Sequence, residues 1–523
     1  MSISVFTHIF RNFSKNLSNQ LYASAKNALK CPKNNNFVLL SDLLTKNSFA
    51  KILEPTKIGI YLITVMTGVK EDRSYIKKLL LIAIPIMVQN GISNFVNLLD
   101  NLMIGRVGTN ALSGVAIANQ LIFVYYLVIF GATAGVGIFT AQYKGSGDDD
   151  GIRKSFQFKI VFNTILAAIC TLILFIWSPF LINLFLLGEG NPADAAETLE
   201  IGIDYMHVIL ISLIPIGITQ AYAGTLRDLG STKVPMYSSM AAILVNLVGN
   251  WILIYGHFGL PALGAVGAAI ATVISRFVEL TILIIYTAKH SEAFPFIKGA
   301  FTNFKIPKDL ALKFFLKALP LMANETLWSL GMTTINQCYS YRSLDAVAAL
   351  NIESTIWNLM GVAFIAMGEA VGIMMGHILG AGELDDAKQK AYKMRRVTVV
   401  CGLIFGVIMA IIAPFFPLLY NTSDLIRHLA TNFIFICAFM MPFCSYTHAS
   451  YFIMRSGGNT LITVIFDSVY TWVLVVPLAY CLSRFTGMSV TWMLAIVHGM
   501  EIVKCSIAFF FVRSGIWVRN IVK

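Results

Sequence analysis

A chain of 523 residues that is 57% hydrophobic and only 13% charged lies far from the roughly 25% charged residues of an ordinary soluble domain, which excludes a water-soluble globular fold. The formal net charge of +12 would suit a nucleic-acid binder, but the charges gather between long apolar stretches, as in a multi-pass membrane protein, so nucleic acid is excluded as a partner. Eight cysteines without a CxxC pair point to neither a disulfide framework nor a metal site.

In chain order, residues 1–74 read as a poorly structured basic extension. The first 65 are rich in Asn, Ser and Lys, and their longest apolar run, Ile58 to Val65, is far shorter than the roughly 20 residues that cross a bilayer. A disordered tail, an acid-poor targeting peptide and translation from a site upstream of the true start all fit. Met66, followed by Lys70-Glu71-Asp72-Arg73 and then the first apolar span, is the start we favour. A chain beginning at Met66 is therefore expected to keep its activity, and loss of activity in that assay would refute the assignment.

About twelve spans follow, near 79–105, 116–142, 160–187, 203–226, 234–256, 262–288, 310–340, 345–379, 397–420, 428–454, 461–483 and 489–512. The runs Val161 to Leu187 and Val397 to Ser423 contain no charge, so neither is a soluble core helix. The expected fold is an all-α polytopic membrane protein in two pseudo-symmetric six-helix bundles. Residues 75–290 form the first, 291–309 a cytoplasmic linker, 310–515 the second and 516–523 a cytoplasmic tail. Alternate connections carry most of the basic residues, among them Lys144, Lys159, Arg227, Lys308, Arg395 and Arg455. The opposite ones carry Arg106, Arg342, Arg427, Arg484 and the acidic stretch from Glu189 to Glu200. This asymmetry puts both termini in the cytoplasm of a cell-membrane protein.

The segment Pro85 to Gly147 lies over Pro320 to Gly382 without a gap. Pro85 falls on Pro320, Asn101 on Asn336, Ala111 on Ala346, Val136-Gly137-Ile138 on Val371-Gly372-Ile373, and Gly145 and Gly147 on Gly380 and Gly382. Duplicated helical halves are how many transporters build a central site that opens to either side. Neither a phosphate-cradling G-x-x-x-x-G-K-[ST] nor HExxH nor GxSxG occurs, so we expect no ATP, no cofactor and no enzyme.

Three stretches carry a family signature. They are Asn97-Leu-Leu-Asp100-Asn-Leu-Met-Ile-Gly105; Leu226-Arg227-Asp-Leu-Gly230-Ser-Thr-Lys-Val-Pro235, echoed by Met454-Arg455-Ser-Gly-Gly458-Asn-Thr460; and Leu244-Val-Asn246-Leu-Val-Gly-Asn250-Trp-Ile-Leu-Ile-Tyr-Gly256, which runs on through Gly264 and Gly267. Over about residues 75 to 515 the chain resembles the MATE (multidrug and toxic compound extrusion) transporters. The resemblance implies a central cleft between two six-helix bundles and exchange of a cytoplasmic compound for H⁺ or Na⁺. In the matching motif Asp100 is the cation-coupling aspartate.

Each ionisable group inside the membrane costs about 2.5–3.5 kcal/mol on insertion scales and so usually faces an interior cavity. Asp100, near the outer end of span one, is a candidate to hold a proton or, with nearby oxygens, a sodium ion. The alternative is a carboxylate that merely bonds a neighbouring helix. Asn246 and Asn250, one turn apart on one face of span five, are its expected partners. Some branches of the family carry an aspartate where Asn250 stands, and the amide here puts a two-carboxylate proton site in doubt. Glu325, five residues after Pro320, is expected on the second-half cavity, near the level where NorM-like members carry an acid. Their aspartate in span ten has no counterpart in Pro442-Phe-Cys-Ser-Tyr-Thr-His448, and Asp467 in span eleven is a candidate to supply that charge. Arg276 with Glu279, and Glu501 with Lys504, are spaced as structural ion pairs. Glu369, within Gly368-Glu-Ala-Val-Gly372, has an open role. His377, His448 and His498 read as hydrogen-bonded packing residues.

The expected function is a monomeric secondary antiporter for organic, cationic compounds, driven by H⁺ or Na⁺ in alternating access. The rival is a lipid-linked precursor flippase or polysaccharide exporter of the same superfamily, which would hold a pyrophosphate on several cleft cations. Acidic groups dominate the buried charges and basic ones sit at the cytoplasmic edge, favouring a cationic or neutral cargo.

Overall fold

The computed structural model describes residues 73–187, 191–302 and 304–523. The expected extension, apart from its last two residues, and the start at Met66 lie outside the described residues. Helix dominates, and no strand occurs among the described residues. In chain order the elements are α1 (Arg73–Gly105), α2 (Thr109–Ser146), α3 (Asp149–Phe185), α4 (Pro192–Ile209), α5 (Leu213–Asp228), α6 (Lys233–Tyr255) and α7 (Gly264–Lys289) in the first half. The second half holds α8 (Lys308–Ser340), α9 (Leu344–Ala381), α10 (Leu384–Ile412), α11 (Asp424–Ser456), α12 (Thr460–Val464), α13 (Val476–Phe485) and α14 (Val490–Ser514). A 3₁₀ turn at Leu210–Ser212 joins α4 to α5, and two π-helical turns, Ile465–Val469 and Thr471–Val475, join α12 to α13, so each of these composites makes one crossing. Twelve crossings result among the described residues. Eleven are long and apolar enough to span a bilayer, and the twelfth, α8, is diluted by Lys313, Lys317 and Glu325.

The duplication reaches the helix ends. Shifting α1 by 235 residues gives Lys308–Ser340, the bounds of α8, and the same shift of α2 gives Leu344–Ala381, those of α9. Both α2 and α9 stop at a glycine in the left-handed region, Gly147 (φ 74°) and Gly382 (φ 85°). A side chain there would be strained, so the repeat has kept glycine at both stops.

The two halves meet along α2. A Cβ on Gly131 would stand 2.6 Å from Met322 Cα of α8. Near the basic end α2 crosses α9 reciprocally: a Cβ on Gly145 would strike the His377 carbonyl, and one on Gly380 the Gln142 carbonyl. Backbones can approach this closely only where side chains are missing. The expected tail 516–523 is seated in the same seam. Gln142 Nε2 donates to Ser456 O at 2.9 Å and to Arg519 O at 3.1 Å, while Ile521 N donates to Gln142 Oε1 at 2.8 Å. Asn520 Nδ2 donates to Leu379 O at 3.0 Å.

Burial sorts the helices. Among the eleven apolar spans of the described residues α9 is the most enclosed, whereas α3 and α14 are the least. Along α3, Phe175, Ile176, Trp177 and Phe180 are exposed, and so continuous an apolar surface requires lipid around it. The acidic stretch expected as a loop instead opens α4: Asn191 caps the helix by accepting from Ala193 N, and Asp194 occupies the first turn. Acids at that position complement the helix dipole.

Candidate functional site

Asp100 stands on α1, five residues before the helix stops at Gly105. α6 carries Asn246 and Asn250 one turn apart, both buried (7% and 1% exposed). Asn250 Nδ2 donates to Asp100 Oδ1 at 2.7 Å. The Asn246 amide is satisfied when Nδ2 donates to Asp100 Oδ2 at 3.1 Å and Oδ1 accepts from Thr272 Oγ1 at 3.0 Å. The half-buried carboxylate thus rests on amide N–H groups and has no salt-bridge partner among the described residues. Asn250 Oδ1 is buried without a hydrogen-bond donor.

One turn beyond Thr272 on α7, Arg276 Nη1 donates to Glu279 Oε2 at 2.9 Å. This pair lines a cavity of about 290 Å³ between the halves, together with Gln89, Ser93, Tyr126, Arg227 and Glu369. Asp100, Asn246 and Asn250 are not among its lining residues; Thr272 and Arg276 connect them to it along one face of α7.

The second half uses the corresponding helices differently. Asn324 of α8, which the repeat places opposite Gln89, donates to Asp467 Oδ2 at 3.1 Å and accepts from Ser468 Oγ at 2.7 Å. Asp467 lies in the first π-helical turn, a distortion found most often at functional sites. Lys504 Nζ reaches Asp467 Oδ1 at 2.8 Å. The expected Glu501–Lys504 pair is therefore corrected: the widened turn carries Asp467 to the lysine, and Glu501 Oε2 is left without a hydrogen-bond partner. Glu325 Oε1 accepts from Tyr451 OH at 3.3 Å.

The expectation that basic residues stay at the edge is corrected too. Lys159 is fully buried and binds Asp228 Oδ2 at 2.6 Å. Arg227 Nη2 donates to Gln89 Oε1 at 3.2 Å, and its Nη1 lies 3.6 Å from Glu369 Oε1 across the seam. Arg455 is buried under Phe452, and Arg395 packs its guanidinium over Tyr446, 4.3 Å from the ring centre. The 38-residue helices α2 and α9 are about 57 Å long at 1.5 Å per residue, longer than any bilayer core. Residues at the ends of the apolar spans are therefore still deep in the bundle.

His377 Nε2 bonds the Asp228 carbonyl at 2.6 Å, His448 Nδ1 bonds the Cys444 carbonyl at 3.0 Å, and His498 Nδ1 faces Cys437 Sγ at 3.9 Å. Sequence reasoning overlooked Glu353, only 6% exposed among second-half helices. It is one of three acids on α9, with Asp345 and Glu369.

The MatE family model matches residues 85–252 and 320–481. A probable multidrug resistance protein NorM of Thermotoga maritima is 26% identical over 456 residues, covering 85% of this chain and 94% of that protein. A probable multidrug resistance protein YoeA of Bacillus subtilis is 23% identical over 431 residues, covering 82% and 91%. Among solved structures, an outward-facing multidrug resistance MATE family transporter of the MOP superfamily superimposes with a TM-score of 0.73 at 19% identity, over 87% of this chain and 97% of that one.

Proposed function

Because the chain belongs to the MatE family and is a multi-pass membrane transporter, we propose that it is a secondary antiporter which expels organic compounds in exchange for H⁺ or Na⁺. The observation that carries this reading is the Asp100 carboxylate, held by the amides of Asn250 and Asn246 with no ion-pair partner within 4.0 Å among the described residues. A proton bound to Asp100 would neutralise it, and a sodium ion would use its carboxylate oxygens as ligands. With the basic end in the cytoplasm, the close Gly145–Gly380 crossing would hold the inner side shut. Release of the cation would favour the opposite closure, since a ligand shifts two states only by binding them unequally.

The test is efflux of a fluorescent cation from vesicles under an imposed pH or sodium gradient in turn. One gradient is expected to drive it, and Asp100→Asn is expected to abolish it. Failure of both gradients with the intact protein would reject antiport of that dye, while an unimpaired Asp100→Asn protein would reject the coupling site. The rival reading, export of a lipid-linked precursor, gains support from Arg227 and Arg276 on the cavity, but each of these cations faces a glutamate, which weakens the case for a pyrophosphate cradle.

A further inference from the structure

Arg276 stands between two carboxylates, and only one of them lies on the cavity between the halves. Its Nη1 donates to Glu279 Oε2 at 2.9 Å, and both side chains line that cavity of about 290 Å³. In the other direction along α7, Thr272 lies one turn back with its Oγ1 3.0 Å from the Asn246 amide, which in turn holds Asp100 Oδ2 at 3.1 Å. Long side chains on a helix lean toward its N-terminal end, so the room that Arg276 can sweep runs back toward Thr272 and Asp100. The guanidinium lies within electrostatic reach of Asp100 as well as Glu279, and Tyr205 lies within reach of both Asp100 and Arg276. Arg276 Nε is buried without a hydrogen-bond partner, so the Glu279 contact leaves part of the fork unused. The remaining charges on this cavity are Arg227 and Glu369, which face each other at 3.6 Å across the seam. One cation thus serves two acids, Asp100 off the cavity and Glu279 on it.

We propose that Arg276 is a tethered exchange cation, which moves to Asp100 when the coupling cation leaves and returns to Glu279 when that cation binds. With Arg276 on Asp100, the Glu279 carboxylate is unpaired on the cavity and takes the cationic end of the cargo. When H⁺ or Na⁺ occupies Asp100, the guanidinium goes back to Glu279 and displaces the cargo. Cargo and coupling cation then exclude each other without sharing a site, and Arg276 relays between them over one helical turn, roughly 5.4 Å. A guanidinium suits the task because it stays charged in both positions and offers each carboxylate the same planar fork. The acid that Arg276 leaves is costly to keep unpaired, so each move calls in either cargo or the coupling cation. This inference rests on the antiport reading and deepens it: Arg276 is a positioning residue for the exchange, and Glu279 touches the cargo.

The test uses full-length protein in nanodiscs, titrated with ethidium, a permanent aromatic cation, by fluorescence anisotropy at alkaline pH in potassium chloride. Asp100→Asn strips Arg276 of its second partner and is expected to weaken ethidium binding at least about tenfold, equivalent to about 1.4 kcal/mol, although Asp100 does not line the cavity. Adding Arg276→Gln to Asp100→Asn should restore the affinity to within about twofold of the intact protein, well inside that tenfold step. Glu279→Gln should weaken binding as much as Asp100→Asn does, with no rescue by Arg276→Gln. Arg276→Lys, which keeps a tethered charge, should leave the Asp100→Asn loss unrescued, so that charge and not packing is read. Arg276→Met takes the place of Arg276→Gln if the latter does not fold. Ethidium binding that Asp100→Asn leaves unchanged, a loss that Arg276→Gln does not rescue, or no binding to the intact protein would overturn the exchange. Rescue without gradient-driven efflux would uphold the exchange and reject antiport, whereas gradient-driven efflux without rescue would do the reverse.

Discussion

The first and second halves share the bounds of their first two helices, left-handed glycine stops and a reciprocal crossing, yet they treat a half-buried aspartate in opposite ways. Asp100 is held by amides and has no salt-bridge partner among the described residues. Asp467 is held by an amide and a lysine, at 3.1 Å and 2.8 Å. An aspartate already paired with an ammonium at hydrogen-bond distance has little reason to exchange cations, whereas one hydrogen-bonded only to amides keeps oxygens that an arriving cation can meet. Duplication supplied two equivalent scaffolds, and charge placement sets them apart: an aspartate on amides in the first, for which we propose coupling, and one braced by a lysine in the second.

That contrast can be broken by mutation. The largest expected effect is on transport: Asp100→Asn should reduce gradient-driven efflux by about 100-fold or more, since it removes the proposed coupling charge, while shifting stability by less than about 1 kcal/mol because the new amide can still bond its neighbours. Vesicle efflux and thermal unfolding in detergent, run side by side, would show it. Next comes Lys504→Met, which strands Asp467. Breaking one partner of a buried pair costs about 3–5 kcal/mol, read as a lowered Tm, and Asp467→Asn added to Lys504→Met should recover most of the loss. An undiminished Tm in the single variant would dissolve the distinction between the halves. Asn250→Ala removes one donor to Asp100 and should raise the cation concentration for half-maximal efflux about tenfold or more, in line with the roughly 1.5–3 kcal/mol of a hydrogen bond to a charged group. Asn246→Ala should have the smallest effect, about two- to fivefold on the same measurement, because its bonds to the carboxylate are longer than that of Asn250.

Much of this was legible in the sequence, for stated reasons. The gap-free overlay of Pro85–Gly147 on Pro320–Gly382 anticipates the common bounds of α1 with α8 and of α2 with α9, because hydrophobic runs and glycine stops are local signals. The one-turn spacing of Asn246 and Asn250 anticipates a shared face. What escaped was set by geometry that no local pattern records. The π-helical turns around Asp467 redirect it to Lys504, so a spacing of three that would pair Glu501 with Lys504 in isolation is overridden. Arg227, Lys159 and Arg455 sit at the edges of apolar spans, where positive charge ordinarily marks the membrane surface, and only the length of α2 and α9 brings those edges inside.

The strand of chain beyond α14 is gripped at once by Gln142 of one half and by the Leu379 carbonyl of the other. Any swing that parts the halves at this end must let go of it. A fluorophore attached at Lys523 would therefore dim or brighten with each cycle, giving a single-molecule clock for turnover, and a bulky purification handle fused there would slow that clock by wedging the joint.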